Sequence, residues 1–287
     1  MYQCKKKISI MTFSAAAIFS LIFHSTQLLA IGYRYHDIEN FTKYKNYNEI
    51  ESCANQGSPS CLALLGASYY WGVEFKDRVV ERNIDISSNY LNKALGNSLM
   101  ARSLFAHVID EKAPLEKKSL LYSAATEGYL PAIFSLANSY GMKTDKDRLE
   151  NIRWRKIHMN IDPSAAQDEK GAIGIIYLTL ASPDYPYALY WLNKAAIEED
   201  DMSAQYKLAG LFARGDGVRK DYITAYMYYD LSGSAGSEEK FKLSKLMSQE
   251  QVQEAIERSH QWQDKYNSYR PGYGAWNDVG GIQWRHQ

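Results

Sequence analysis

The chain has 287 residues, 46% of them hydrophobic, with 33 basic and 33 acidic side chains and a formal charge of zero. The apolar share is ordinary for a folded protein. The balanced charge points away from nucleic-acid steering and from an acidic tail.

Residues 1–30 open with Lys5-Lys6-Lys7, continue with an apolar run from Ile8 to Phe23, and close on Leu28-Leu29-Ala30. This is the pattern of a cleaved secretory signal peptide; the alternative is an uncleaved anchor. The run, about 16 residues long, is shorter than the roughly 20 that span a bilayer. Cys4 precedes the run and does not end it, which argues against a lipoprotein anchor. Removing the segment takes three lysines and no acids, so the remaining chain carries 30 basic and 33 acidic residues.

Residues 31–60 are predicted to form an N-terminal capping helix. Ile38, Phe41, Tyr44, Tyr47 and Ile50 recur every three residues and Cys53 extends the stripe, as one face of a helix requires.

Residues 61–247 repeat one phrase. Its first half is a large apolar residue, a Gly or Ala, and an aromatic or aliphatic residue three further on: Leu65-Gly66 with Tyr69, Phe105-Ala106 with Ile109, Leu136-Ala137 with Tyr140, Ile173-Gly174 with Tyr177, and Leu208-Ala209 with Phe212. The small residues are 40, 31, 37 and 35 apart. The second half sets an apolar or aromatic residue one turn before a small one: Tyr90 with Ala94, Leu121-Tyr122 with Ala124-Ala125, Trp191 with Ala195-Ala196, and Tyr228 with Ser232, while Trp154 with Ile157 is the weakest copy. The clearest copy runs from Asp201 to Gly236. There Ala204, Leu208, Leu211 and Phe212 share a stripe, Gly215-Asp216-Gly217 breaks the helix, and Asp221 is placed to cap a second helix carrying Ala225, Tyr228, Tyr229 and Ser232. Paired helices at a period near 35 residues predict an all-α solenoid of about five helix-turn-helix repeats. Two places depart from the phrase: a long insertion between Gly72 and Asn89, and a charged stretch from Lys143 to Glu150 read as a link.

Residues 248–266 are predicted to form a C-terminal capping helix, with Ser248 and Gln251 spaced as a capping box. Residues 267–287 hold Pro271, several glycines, Trp276 and Trp284 without a period, the composition of a flexible tail; the alternative is that its aromatics dock on the array or on a partner.

The sequence contains no Gly-x-Ser-x-Gly, no phosphate-binding loop and no His-Glu-x2-His. His107 and His158 read as surface or packing residues, and Glu198-Glu199 and Asp200-Asp201 as solvated charge at a helix-to-helix link. No catalytic residue, cofactor or metal site is expected.

From Ala204 to Ala225 the pattern Ala-x3-Leu-Ala-x2-Phe-x2-Gly-x-Gly-Val-x2-Asp-x3-Ala resembles a Sel1-like repeat, a relative of the tetratricopeptide repeat. Gly72-Val73 and the run from Ala188 to Ala196 resemble the same family, and the resemblance covers roughly residues 50–247. It implies a right-handed superhelical solenoid. Cys53 and Cys61 fall at facing small positions of the repeat, where Ala124 and Ala132 stand elsewhere. Cysteines there come within bonding reach, export places them in an oxidising compartment, and family members carry similar Cys-x7-Cys pairs. A disulfide closing the first hairpin is expected; metal binding at the pair lacks further ligands nearby.

The resemblance further implies a protein-binding concave face built from first helices. Repeat geometry places on it Tyr70, Trp71, His107, Asp110, Phe134, Asn138, Tyr206 and Arg214. The reading that follows is an exported adaptor, periplasmic or secreted from a Gram-negative bacterium and monomeric when free. It takes a protein partner, and has no nucleic acid and no membrane span once the signal is removed. The alternative is a periplasmic immunity protein that inhibits a secreted toxin such as a lipase effector. A cell-wall or β-lactam hydrolase is more remote: penicillin hydrolysis has been ascribed to cysteine-rich relatives, but this chain keeps one cysteine pair once residues 1–30 are removed.

Overall fold

A computed structural model of the chain describes residues 45–109, 113–164 and 168–269. The predicted signal segment 1–30, Asp110 and the tail from residue 270 lie outside the described residues, as do Ile38, Phe41 and Tyr44 of the predicted N-terminal helix. The described residues are helical apart from one small hairpin and the links, and no helix among them is long and apolar enough to cross a membrane. The chain divides into two compact units between Ser139 and Tyr140.

The first unit holds α1 (Tyr47–Asn55), α2 (Pro59–Trp71), β1 (Val73–Glu74), β2 (Val79–Val80), α3 (Ile84–Ala94), α4 (Leu99–Val108), α5 (Pro114–Thr126) and α6 (Leu130–Ser139). Each helix packs on the next, and α2, α4 and α6 also touch in series, so they form one layer. Local chemistry sets the breaks. Pro59 and Pro114 stand in the first turns of α2 and α5, where a missing N–H costs nothing. Asn83 and Ser98 cap α3 and α4 through Ile86 N–H and Ala101 N–H. Every residue of α2 from Cys61 to Ser68 is buried, because this helix is covered from several sides. Cys53 and Cys61 are joined by the expected disulfide.

The second unit holds α7 (Asp145–Ile161), α8 (Glu169–Leu178), α9 (Tyr185–Glu198), α10 (Met202–Arg214), α11 (Tyr222–Leu231), a 3-10 turn (Gly233–Gly236), α12 (Ser237–Ser244) and α13 (Gln249–Tyr266). Here α8 and α10 share a layer. Asp201 caps α10 and Asp221 caps α11, each accepting two backbone N–H bonds. Gly215 ends α10 in the left-handed conformation, φ 82°. Ala204, Leu208, Leu211, Ala225, Tyr228 and Tyr229 meet in one core cluster, the stripes read from the sequence. Ser248 and Gln251 form the capping box of α13, which packs on α11. Its buried polar side chains are satisfied: Ser259 Oγ donates to Asp230 at 2.6 Å and Gln263 Nε2 donates to Ser259 at 3.2 Å.

Three expectations need correction. The N-terminal helix starts at Tyr47, since Lys45 and Asn46 are not helical. The charged stretch after Lys143 is not a link: Thr144 accepts Asp147 N–H as an N-cap, and Asp145 to Glu150 form the first turns of α7. Acidic side chains favour that position because they face the positive end of the helix dipole. Lastly, α12 was not read from the sequence, where Glu, Lys and Ser dilute the apolar period.

Candidate functional site

The insertion after Gly72 is the feature that the repeat phrase does not account for. It forms the antiparallel β1–β2 hairpin, with Val73 opposite Val80 and Glu74 opposite Val79. Gly72 has φ 75°, and a Cβ there would stand 3.1 Å from Arg82 N, so glycine lets the chain leave α2 and return close by. The hairpin is tied down on both sides. Asp77 accepts the N–H of Tyr47 at 2.6 Å and, more weakly, that of Asn48 at 3.4 Å. The Tyr47 amide bond is the main cause that holds the Asp77 carboxyl below its ordinary pKa. Lys76 N–H reaches Lys45 O at 2.9 Å and Asn83 N–H reaches Tyr69 O at 2.7 Å. Asp77 thus acts as an N-cap for α1 from 30 residues away, satisfying donors that its own N-cap residue leaves free.

A pocket of about 280 Å³ lies against this insertion, lined by Tyr69, Arg78, Val79, Val80, Glu81, Arg82, Asn83 and Ile86. Both guanidinium groups are set on aromatic rings. Arg78 lies 4.3 Å from the centroid of Tyr47 and Arg82 lies 5.9 Å from that of Tyr70. Arg82 Nε donates to Tyr70 O at 3.1 Å. Behind them is a tyrosine cluster: the Tyr47 and Tyr69 hydroxyls are 2.9 Å apart, Tyr47 donates to Glu51 at 3.0 Å, and Tyr69 stacks on Tyr90 at 6.0 Å. Burial, followed by the bonds to Tyr69 and Glu51, pushes the Tyr47 hydroxyl well above its ordinary pKa, so it stays a proton donor.

Of the residues predicted for a binding face, the seven that are described fall on first helices. Tyr70 and Trp71 end α2 with their rings 5.4 Å apart, edge to face. His107 on α4 is exposed, and its Nε2 lies 3.0 Å from Ser135 Oγ on α6. Desolvation, then Lys117, lower its pKa below the ordinary 6.5. Phe134, 45% exposed, and Asn138 occupy the same α6 surface one turn apart. The structure therefore sets His107 on a helix bonded to the one that carries Phe134 and Asn138. In the second unit Tyr206 packs edge to face on Tyr229 at 5.4 Å. Arg214 is exposed and bonds Asp216 at 2.6 Å, and its guanidinium lies over Gly210. Tyr206, Gly210 and Arg214 make one stripe of α10, as their spacing of four requires.

Two other groups of charges prove structural. His158 and Glu169, both buried, meet at 3.0 Å, and Arg155 bonds the second oxygen of Glu169 and also Asn151 at 2.7 Å. This pins the start of α8 onto α7. Glu199 was expected to be solvated. Its side chain is 5% exposed and paired with Lys170 at 2.6 Å, and burial raises its pKa despite that partner. Sequence reasoning missed Arg78, Arg82 and Glu169. The departure from the phrase after Gly72 was a signal for the two arginines; nothing local marked Glu169. Among the described residues, no cluster of three His, Cys, Asp or Glu side chains is placed to hold a metal.

The family model for the Sel1 repeat matches residues 172–200 and 203–237, which correspond to α8–α9 and to α10–α11 with the turn that follows. No curated protein matches the sequence. Among solved structures, the chain is similar to a protective antigen of uropathogenic Escherichia coli strains displaying an SLR fold. The identity is 19% and the TM-score 0.47, over 83% of this chain and 59% of that one. This chain thus spans less than two thirds of that antigen's length. It is similar also to a Sel1 repeat protein from Oxalobacter formigenes, at 19% identity and a TM-score of 0.47, over 77% of this chain and 99% of that one.

Proposed function

We propose that this chain, a Sel1-repeat protein, is an exported scaffold that binds a protein partner on the surface of its first helices. Sel1 repeats are protein-interaction modules. What supports the more specific reading is the α4–α6 surface of the first unit. Phe134 is 45% exposed there, beside the helix-bridging pair of His107 and Ser135. Aromatic residues, phenylalanine among them, are enriched at protein interfaces. Tyr70 and Trp71 on α2 belong to the same reading within the first unit, and Tyr206 and Arg214 on α10 are its counterpart within the second unit by itself.

The test is affinity capture from periplasmic and envelope extract, with the protein lacking residues 1–30 as bait. A bait carrying Phe134→Ala and His107→Ala serves as control, its fold checked by circular dichroism. A partner that is retained by the parent and lost by the variant supports the face. A partner retained equally by both places binding elsewhere.

A further inference from the structure

We propose that the pocket beside the β1–β2 hairpin is a carboxylate-recognition site, which takes an acidic side chain from an extended segment of the protein partner. The proposal rests on the reading of the chain as an interaction scaffold and names one chemical feature of what it binds.

Both arginines are left with donors to spare. Among the described residues no carboxylate lies within salt-bridge distance of Arg78 or Arg82, although Asp77 acts on Arg78 through its charge, whereas ion pairs engage other arginines such as Arg102, Arg148 and Arg155. Arg82 spends one N–H on Tyr70 O, and among the described residues no hydrogen bond uses the Arg78 guanidinium. A guanidinium has five N–H donors in a planar fork that matches a carboxylate. Each fork also rests on a tyrosine ring, which limits how much side-chain freedom remains to be lost on binding.

The support under the pocket is fixed before any ligand arrives. Asp77, Lys76 and Asn83 tie the hairpin to α1 and α2, and the disulfide joins α1 to α2. Preorganised donors favour binding because ordering them costs little at the time of association.

Size and charge narrow the ligand. At about 280 Å³ the pocket falls just below the range of small-molecule sites, roughly 300–1,000 Å³. That is room for a side chain and not for a nucleotide. Val79, 69% exposed, and Ile86, 38% exposed, add apolar rim, which suits the backbone and neighbouring side chains of a peptide. Glu81 also lines the pocket. Glu81 in the lining and Asp77, whose charge acts on Arg78, together offset the two guanidinium charges, so a singly charged carboxylate suits the site better than a doubly charged phosphate.

The test uses the disulfide-bonded protein and the peptide acetyl-Val-Glu-Val-amide, followed by NMR on the Nε–Hε signals of Arg78 and Arg82. This readout detects binding down to roughly millimolar affinity. The glutamate peptide should shift both signals saturably, and its glutamine counterpart should bind at least tenfold more weakly. Arg82→Gln should abolish saturation while circular dichroism stays unchanged. Raising salt should weaken binding, since both arginines are exposed. Equal binding of the glutamine peptide, no shift at either arginine, or tighter binding of inorganic phosphate than of the glutamate peptide would each overturn the proposal. Those results would leave partner capture on the first helices untouched. Loss of capture, conversely, would remove the scaffold reading without altering peptide titration of the arginines.

Discussion

Gly66 and Gly174 show how single residues set the distance between helices. A Cβ on Gly66 would lie 2.6 Å from Leu91 side-chain atoms, and one on Gly174 would lie 2.7 Å from Leu192 Cγ and 3.0 Å from its backbone nitrogen. In both units the small residue of the first helix thus receives a leucine of the second, and the paired backbones approach closely. Gly174→Ala should lower stability by about 1–3 kcal/mol, the usual cost of overpacking a filled core. Gly96→Ala is the matched control, because nothing lies within 4 Å of that site. Thermal melts of the two variants decide the point: equal melting temperatures would mean that the helices part at no cost. The same scale explains why Glu169 is tolerated in the interior. Arg155 and His158 engage its two oxygens, and removing one partner would leave a buried charge uncompensated, which is the costly outcome.

Among the elements, α1, α2 and the hairpin act as one assembly. The disulfide closes the α1–α2 turn, and Asp77 and Lys76 fasten the hairpin across it. Cross-linking residues eight apart stabilises a short loop by about 2–3 kcal/mol through the entropy of the unfolded chain. The double variant Cys53→Ser, Cys61→Ser should therefore melt lower in denaturant titrations by that amount. The protein lacking residues 1–30 should show no free thiol without reductant, and two titratable thiols would refute the pairing. The disulfide could be foreseen because both cysteines occupy positions of a repeated phrase. The hairpin pocket could not, because its geometry depends on Asp77 reaching Tyr47, and no local period encodes such a contact. Likewise the stripes of α10 and α11 were legible, each being periodic by itself. The start of α7 was misread, because its first turn is charged and its helical character comes from the Thr144 cap and the Asp145 bond to Ala181 N–H.

For the whole molecule, the repeated phrase carries the architecture: a small residue and an apolar stripe, renewed about every 35 residues, give stacked helical hairpins in each unit. Function is less legible, since the same stripes are consumed by packing and only the residues off them differ from repeat to repeat. The central claim is that those residues on the first helices meet a partner. Site-specific photo-cross-linking tests it most directly. A photoreactive phenylalanine would replace Phe134 on α6 in one protein and Tyr122 on α5 in another, two sites exposed to similar extents, 45% and 49%. Irradiation in envelope extract should give a discrete cross-linked product from position 134 and none from position 122. A product from position 122 alone, or equal products from both, would contradict a first-helix binding face.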